Sequence, residues 1–129
     1  MENWVPVAVG LAAGLAFIVL LALSLGKSIS TVIIPEGSSL ETSERNNFEP
    51  AVIRIMIGVN NTVQWINEDI VSHSVVADDK SDPDFYAATR NNSLLSGATF
   101  EYTFTKPGEL GYHMVPHPHM RGIVVMIAG

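Results

Sequence analysis

The chain has 129 residues, a formal net charge of -6, 16% charged residues and no cysteine. An acidic chain without a Lys/Arg cluster repels phosphate backbones, so nucleic acid is excluded as a partner class. Without cysteine there are no disulfides, thiolate nucleophiles, iron–sulfur clusters or cysteine-ligated zinc, and the length suits one domain of about 100 residues beside a short appendage.

From Asn3 to Gly26 no residue is charged. As a helix, this segment would rise roughly 35 Å, enough for a hydrocarbon core of about 30 Å. A transmembrane anchor, residues 1–27 with its flanks, is therefore expected, leaving residues 28–129 as the second domain. A cleaved secretory signal is the rival reading, but such signals carry a basic n-region and a shorter apolar run, whereas Glu2 stands near this N-terminus. Lys27 alone would favour a cytoplasmic C-terminal side. The sequons Asn60-Asn61-Thr62 and Asn91-Asn92-Ser93 instead fit an external domain. A single pass through the cell membrane is expected, with the C-terminal domain on the extracytoplasmic side and the bilayer as one partner.

Beyond the anchor, a β-branched run from Ser30 to Ile34 predicts a first strand, followed by a polar loop to Pro50. Ala51–Ile57, Thr62–Ile66 and Ser72–Ala77 are short, β-branched or alternating, and separated by turn residues, so they are predicted strands. Asp78–Asn92 is polar, with a helical turn expected around Phe85–Thr89, and is expected to connect rather than build the core. Thr99–Thr105 alternates aromatic and polar residues, Lys106-Pro-Gly108 is a turn, and Leu110–Met114 and Gly122–Ile127 are the last strands. Seven short strands at regular spacing predict an all-β sandwich. Asp78, Asp79 and Asp82 are read as solvated loop carboxylates, and no nucleophile, phosphate loop or paired carboxylate stands out, so the chain is not expected to be an enzyme.

Three of the four histidines and two of the five methionines lie within Tyr112-His-Met-Val-Pro-His-Pro-His-Met-Arg121. Pro116 and Pro118 restrict the backbone, which lets the loop hold His117 and Met120 in fixed relation to the strand bearing Met114. An isolated histidine or methionine in a β-protein is more often packing or surface than ligand. Five in one proline-braced loop reverse that balance. Imidazole and thioether together suit copper, Cu(I) above all. His73, at the start of a strand after a turn, is placed to supply a remote ligand.

Val63-Gln-Trp-Ile-Asn-Glu-Asp69 with His73, then Ser96-Gly-Ala-Thr-Phe-Glu-Tyr-Thr-Phe104, Lys106-Pro-Gly108 and Tyr112-His-Met-Val-Pro-His-Pro-His-Met120, resemble the plastocyanin and halocyanin group of cupredoxins, which includes membrane-anchored archaeal members. The resemblance runs from about Ser30 to Ile127 and implies a cupredoxin-like Greek-key β-sandwich, one copper ion and one-electron transfer. Carried over by position, it assigns the upstream histidine to His73, the second histidine to His117, the axial methionine to Met120 and the family's cysteine to Met114. His113 and His119 flank those positions without matching them, although either could be recruited.

A thioether cannot replace the anionic donation of a thiolate, so a blue type 1 centre is not expected from His73, Met114, His117 and Met120. Subunit II of the haem–copper oxidases is excluded, because its dinuclear centre needs two cysteines. Three functions remain. The first is electron transfer with a membrane-bound or soluble redox partner, the second a Cu(I) carrier, buffer or sensor, and the third a metal-free interaction domain.

Overall fold

Val, Ile and Thr crowd the segments that form strands, because branched side chains pack well on a pleated, half-buried surface. The computed structural model describes residues 28–129, and the expected anchor lies outside the described residues. The strands are β1 (Ile29–Ile34), β2 (Val52–Met56), β3 (Thr62–Asn67), β4 (Ser74–Ala77), β5 (Thr99–Thr103), β6 (Gly108–Val115) and β7 (Arg121–Ile127), with one helix, α1 (Pro83–Thr89), between β4 and β5. All seven predicted strands are present, with ends within two residues of the sequence reading.

Two sheets face each other. One has the order β1-β3-β5, with β1 parallel and β5 antiparallel to β3. The other has the order β2-β7-β6-β4, with β2 parallel to β7 and the remaining pairs antiparallel. Period-two alternation turns Val63 and Trp65 of β3 inward against Leu110, Tyr112 and Met114 of β6 and Val124 and Met126 of β7, all of them buried. Trp65 lies at the centre, edge-on to Tyr112 with ring centroids 5.4 Å apart and stacked on Phe85 at 6.0 Å. Rings in these arrangements bury large apolar areas and add favourable quadrupole contacts.

The Asp78–Asn92 connection does more than link strands, which corrects the sequence reading. Asp82 caps α1 by accepting hydrogen bonds from the amides of Asp84 and Phe85, and Pro83 sits in the first turn, where its missing N–H leaves nothing unpaired. The capped turn points Phe85 and Thr89, four residues apart, into the interior. Thr89 Oγ1 donates to Phe85 O at 3.0 Å and accepts from the amide of Ala77 at 3.1 Å, so α1 buttresses β4. Asp82 is therefore a cap, and Asp78, exposed on the sheet's outer side, pairs with His113.

Gly122 of β7 is buried and stands opposite Tyr112 of β6, whose phenol ring occupies the space where a side chain would begin. A fully buried aromatic ring has no room to move aside. Gly122→Ala is expected to destabilise the protein by about 1–3 kcal/mol through overpacking, measured by urea denaturation; an unchanged midpoint would show that the Tyr112 ring yields.

Candidate metal centre

At one end of the sandwich the inward rows of three strands change from apolar to polar or sulfur-bearing side chains. In β4 the buried row of Ala77 and Val75 continues to His73, which lies just before the strand and is 1% exposed. Val75 pairs with Met114 across the β4–β6 ladder, so His73 and Met114 follow one another in the same sheet face. His73 is held by a two-way bridge to Leu94, with its amide donating to Leu94 O at 3.0 Å and its carbonyl accepting from Leu94 N at 2.7 Å.

Asn67 ends the buried row of β3. Its side-chain amide donates to the carbonyls of Val71 and Leu94, both at 2.9 Å, and its Oδ1 accepts from the amide of Asp69 at 2.9 Å. One buried amide thus shapes the turn leading to His73 and fastens it to Leu94, the residue that His73 bridges. Asp69, 1% exposed, accepts from His73 Nε2 at 2.8 Å and from the amides of Gly37 and Ile70 at 3.0 and 2.8 Å. Burial alone would raise the Asp69 pKa, but the hydrogen bonds from His73 and from the backbone amides hold it down at about 2.

The second wall is the β6–β7 turn. The amide of Met114 donates to Met120 O at 3.1 Å, and the amide of Met120 donates to His117 O at 3.0 Å, which closes the turn on itself. Met114 and Met120 are both fully buried. The His117 ring comes within 5.1 Å of the His73 ring, centroid to centroid. Its pKa is lowered first by burial and then by the like charges of His73 and His119, with Asp69 opposing. The effect favours the neutral ring, whose lone pair is free for a metal.

Among the described residues four buried side-chain polar atoms have no hydrogen-bond partner: Trp65 Nε1 and the Tyr112 hydroxyl in the core, and one nitrogen on each of two histidines at this end. His73 Nδ1 and His117 Nδ1 are each buried and unpaired, although buried polar atoms are almost always satisfied. With Nε2 of His73 engaged by Asp69, Nδ1 is the nitrogen left to bind. Two unpaired imidazole nitrogens on neighbouring rings, joined by buried thioethers in one closed turn, form a donor set that fits a soft or borderline metal such as copper. Magnesium and calcium require oxygen ligands that the set lacks.

The flanking histidines are turned elsewhere. His113 has the opposite strand parity to Met114, and its Nδ1 bonds Asp78 Oδ1 at 2.6 Å on the outer face. His119 Nε2 bonds the carbonyl of Ser38 at 3.0 Å, and its ring centroid lies 6.2 Å from that of His117. His119 therefore fastens the Gly37–Ser39 loop to the turn, and the same loop is bound from below by Asp69.

The family model for copper-binding proteins of the plastocyanin/azurin family matches residues 38–127. Amicyanin-alpha of Methylorubrum extorquens is 32% identical over 115 residues, covering 89% of this chain and 93% of that protein. This chain belongs to the plastocyanin/azurin family. It is thus a cupredoxin, and not an enzyme. Amicyanin of Paracoccus denitrificans is 28% identical over 99 residues, covering 72% of this chain and 68% of that protein. A purple cupredoxin from Nitrosopumilus maritimus superposes with a TM-score of 0.63 at 26% identity, over 75% of this chain and 98% of that one.

The structure gathers His73, Met114, His117 and Met120 at one end of this cupredoxin and leaves His113 out. Sequence reasoning missed Asn67 and Asp69, which it took as turn residues. Asn67 had a signal in the parity of its strand: counting by two from Val63 and Trp65 puts residue 67 on the buried face. Asn67→Ala removes three side-chain hydrogen bonds at about 1 kcal/mol each. A loss of roughly 3 kcal/mol is expected in urea denaturation of the metal-free protein, against almost none for the exposed Asn91→Ala; equal effects would show that the Asn67 amide braces nothing.

Proposed function

We propose that this chain is a membrane-anchored electron-transfer protein that binds one copper ion through His73, Met114, His117 and Met120. The observation that carries the reading is the pair of buried, unpartnered Nδ1 atoms on His73 and His117. Copper would supply one-electron chemistry there, alternating between Cu(II) and Cu(I). The protein's part is to orient the two imidazoles, through Asp69 and the Leu94 bridge on one side and the closed turn on the other, and to keep both thioethers away from water. A donor set held this rigidly resists rearrangement when the charge of the metal changes.

Met114 stands where the resemblance places the family's cysteine, so the centre is read as a Cys-less, non-blue one. The thioether content also supports a second reading, a Cu(I) carrier, buffer or sensor, because thioethers favour Cu(I). Exposed Ile70 and Leu95, beside Asp69 and Leu94, together with exposed Val115 on the ligand turn, offer an apolar surface for a redox partner, either soluble or membrane-bound.

The anchor reading rests on the uncharged run from Asn3 to Gly26. The amide of Ser28 bonds Val59 O in the turn before β3, and β1 then runs to Ile34, whose carbonyl accepts from Glu68 at the metal end. An anchor attached at Ser28 would hold the domain by its far end and leave the copper site facing an extracytoplasmic partner.

Titration of the detergent-solubilised protein with Cu(I) and, separately, Cu(II) tests the reading. One-to-one binding of both states supports electron transfer, binding of Cu(I) alone supports carriage or sensing, and binding of neither leaves an interaction domain. Met114→Cys is expected to give intense visible absorption on adding Cu(II), and His73→Ala to lose tight binding while His113→Ala retains it. A colourless, folded Met114→Cys protein would count against the ligand set.

A further inference from the structure

We propose that Asp69 supplies, through its hydrogen bond to His73, the negative charge that a thiolate ligand would otherwise bring to the metal centre. The inference rests on copper binding at His73, and it deepens that reading by giving the centre its anion.

The four candidate ligands are two imidazoles and two thioethers, all uncharged when bound to metal. A copper ion among them would be a positive charge in a poorly solvated site with no directly bound anion, an arrangement penalised by desolvation. Asp69 is the only acidic side chain among the buried polar and charged residues described. It lies one imidazole ring away from the metal position, with Oδ2 at 2.8 Å from His73 Nε2, and the two side chains are 1% and 0% exposed. One unit of negative charge there offsets Cu(I) completely and Cu(II) by half, as one thiolate would.

The carboxylate is built to stay ionised. Oδ1 accepts from the amides of Gly37 and Ile70, and Oδ2 accepts from His73 Nε2, from the amide of Ser39 at 3.3 Å and from the Ser38 hydroxyl at 3.5 Å. The amides of Gly37, Ser39 and Ile70 can only donate, and together they favour the ionised carboxylate. The same contact fixes the His73 tautomer, with the proton on Nε2 and the lone pair on Nδ1, the atom that is buried and unpartnered. A carboxylate behind a ligating histidine orients the ring and raises its basicity.

Asp69 acts through His73 and is a positioning residue, but a purely structural role and a charge-supplying role differ in what they do to the two copper states. Anchoring alone affects Cu(I) and Cu(II) alike. A fixed negative charge favours the doubly charged ion more.

The test is Asp69→Asn, which keeps the shape and removes the charge, read by competition titration of the full chain with Cu(I) and with Cu(II) against chelators. Cu(II) affinity is expected to fall about 10–100-fold, the range for loss of a ligand's hydrogen-bonded partner, with a smaller loss for Cu(I) and a higher reduction potential. In a Met114→Cys background, where a thiolate already supplies the anion, the same substitution is expected to change the Cu(II)/Cu(I) affinity ratio much less. Asp69→Ser, an uncharged hydrogen-bond acceptor, carries the same test if Asp69→Asn does not fold. An unchanged ratio in a variant that still takes up one copper overturns the inference, as does an equal change with and without Cys at position 114. Unsubstituted protein that binds neither ion overturns the copper reading first, and this inference with it.

Discussion

Successive side chains of a strand point to opposite faces, and in β6 that alternation buries Leu110, Tyr112 and Met114 while turning His113 outward. The rest of the site follows from this parity. β7 pairs with β6 so that the turn between them closes through Met114 and Met120, and the β4 ladder brings His73 into the row next to Met114. A one-residue slip of β6 would put His113 inside and Met114 in water. The filled core opposes such a slip, because Tyr112 packs between Trp65 and Phe48 and overlies Gly122, and residue 111 or 113 could not take its place. The packing that stabilises the sandwich therefore also selects which of the clustered histidines and methionines face one another.

The strands were legible because each is a short alternating or β-branched run bounded by turn residues, and such patterns are local. The ligand turn was legible because its residue types are concentrated in ten consecutive positions. What stayed hidden depends on contacts between distant segments. Asp69 looks like any acidic turn residue; only the fold shows that the Gly37–Ser39 loop, about thirty residues earlier, wraps its carboxylate and excludes water. Phe85 sits in a stretch so polar that its composition suggests a surface connection, yet the Asp82 cap makes one helical turn and directs the ring onto Trp65. His119 matched the type of a ligand but not its place, since the Ser38 carbonyl takes its ring nitrogen.

The two ends of the molecule divide the work of folding. Around Trp65, Phe85, Phe104 and Tyr112 the interior is aromatic and dry, and stability there comes from burial of large apolar areas. At the other end Asn67, Asp69 and His73 are equally buried but polar. Such a cluster is tolerated only when its members satisfy one another, and the bonds of Asn67 and Asp69 do so through backbone groups of the segments they join. Those polar bonds fix geometry more than they add stability, because each replaces a bond to water.

Of the four buried side-chain atoms left without a partner, Trp65 Nε1 and the Tyr112 hydroxyl lie in the aromatic core, and the two at the polar end carry weight because they are metal-ligating nitrogens. His73 Nδ1 and His117 Nδ1 are buried without partners, and an unpaired buried polar atom costs about 1–3 kcal/mol. Folding opposes such a cost unless neighbouring contacts over-determine it, and here they do: Asp69 and Leu94 leave the His73 ring no other orientation, and the Met114–Met120 closure holds His117. The cost of burying these two ring nitrogens without partners is met while the chain folds. A metal held by these residues, as proposed, would meet donors already in place and so gain the bond energy without a further ordering penalty. The same rigidity would keep the donors where they are when an electron arrived, which is the property the proposed redox centre needs and a flexible pair of surface histidines lacks.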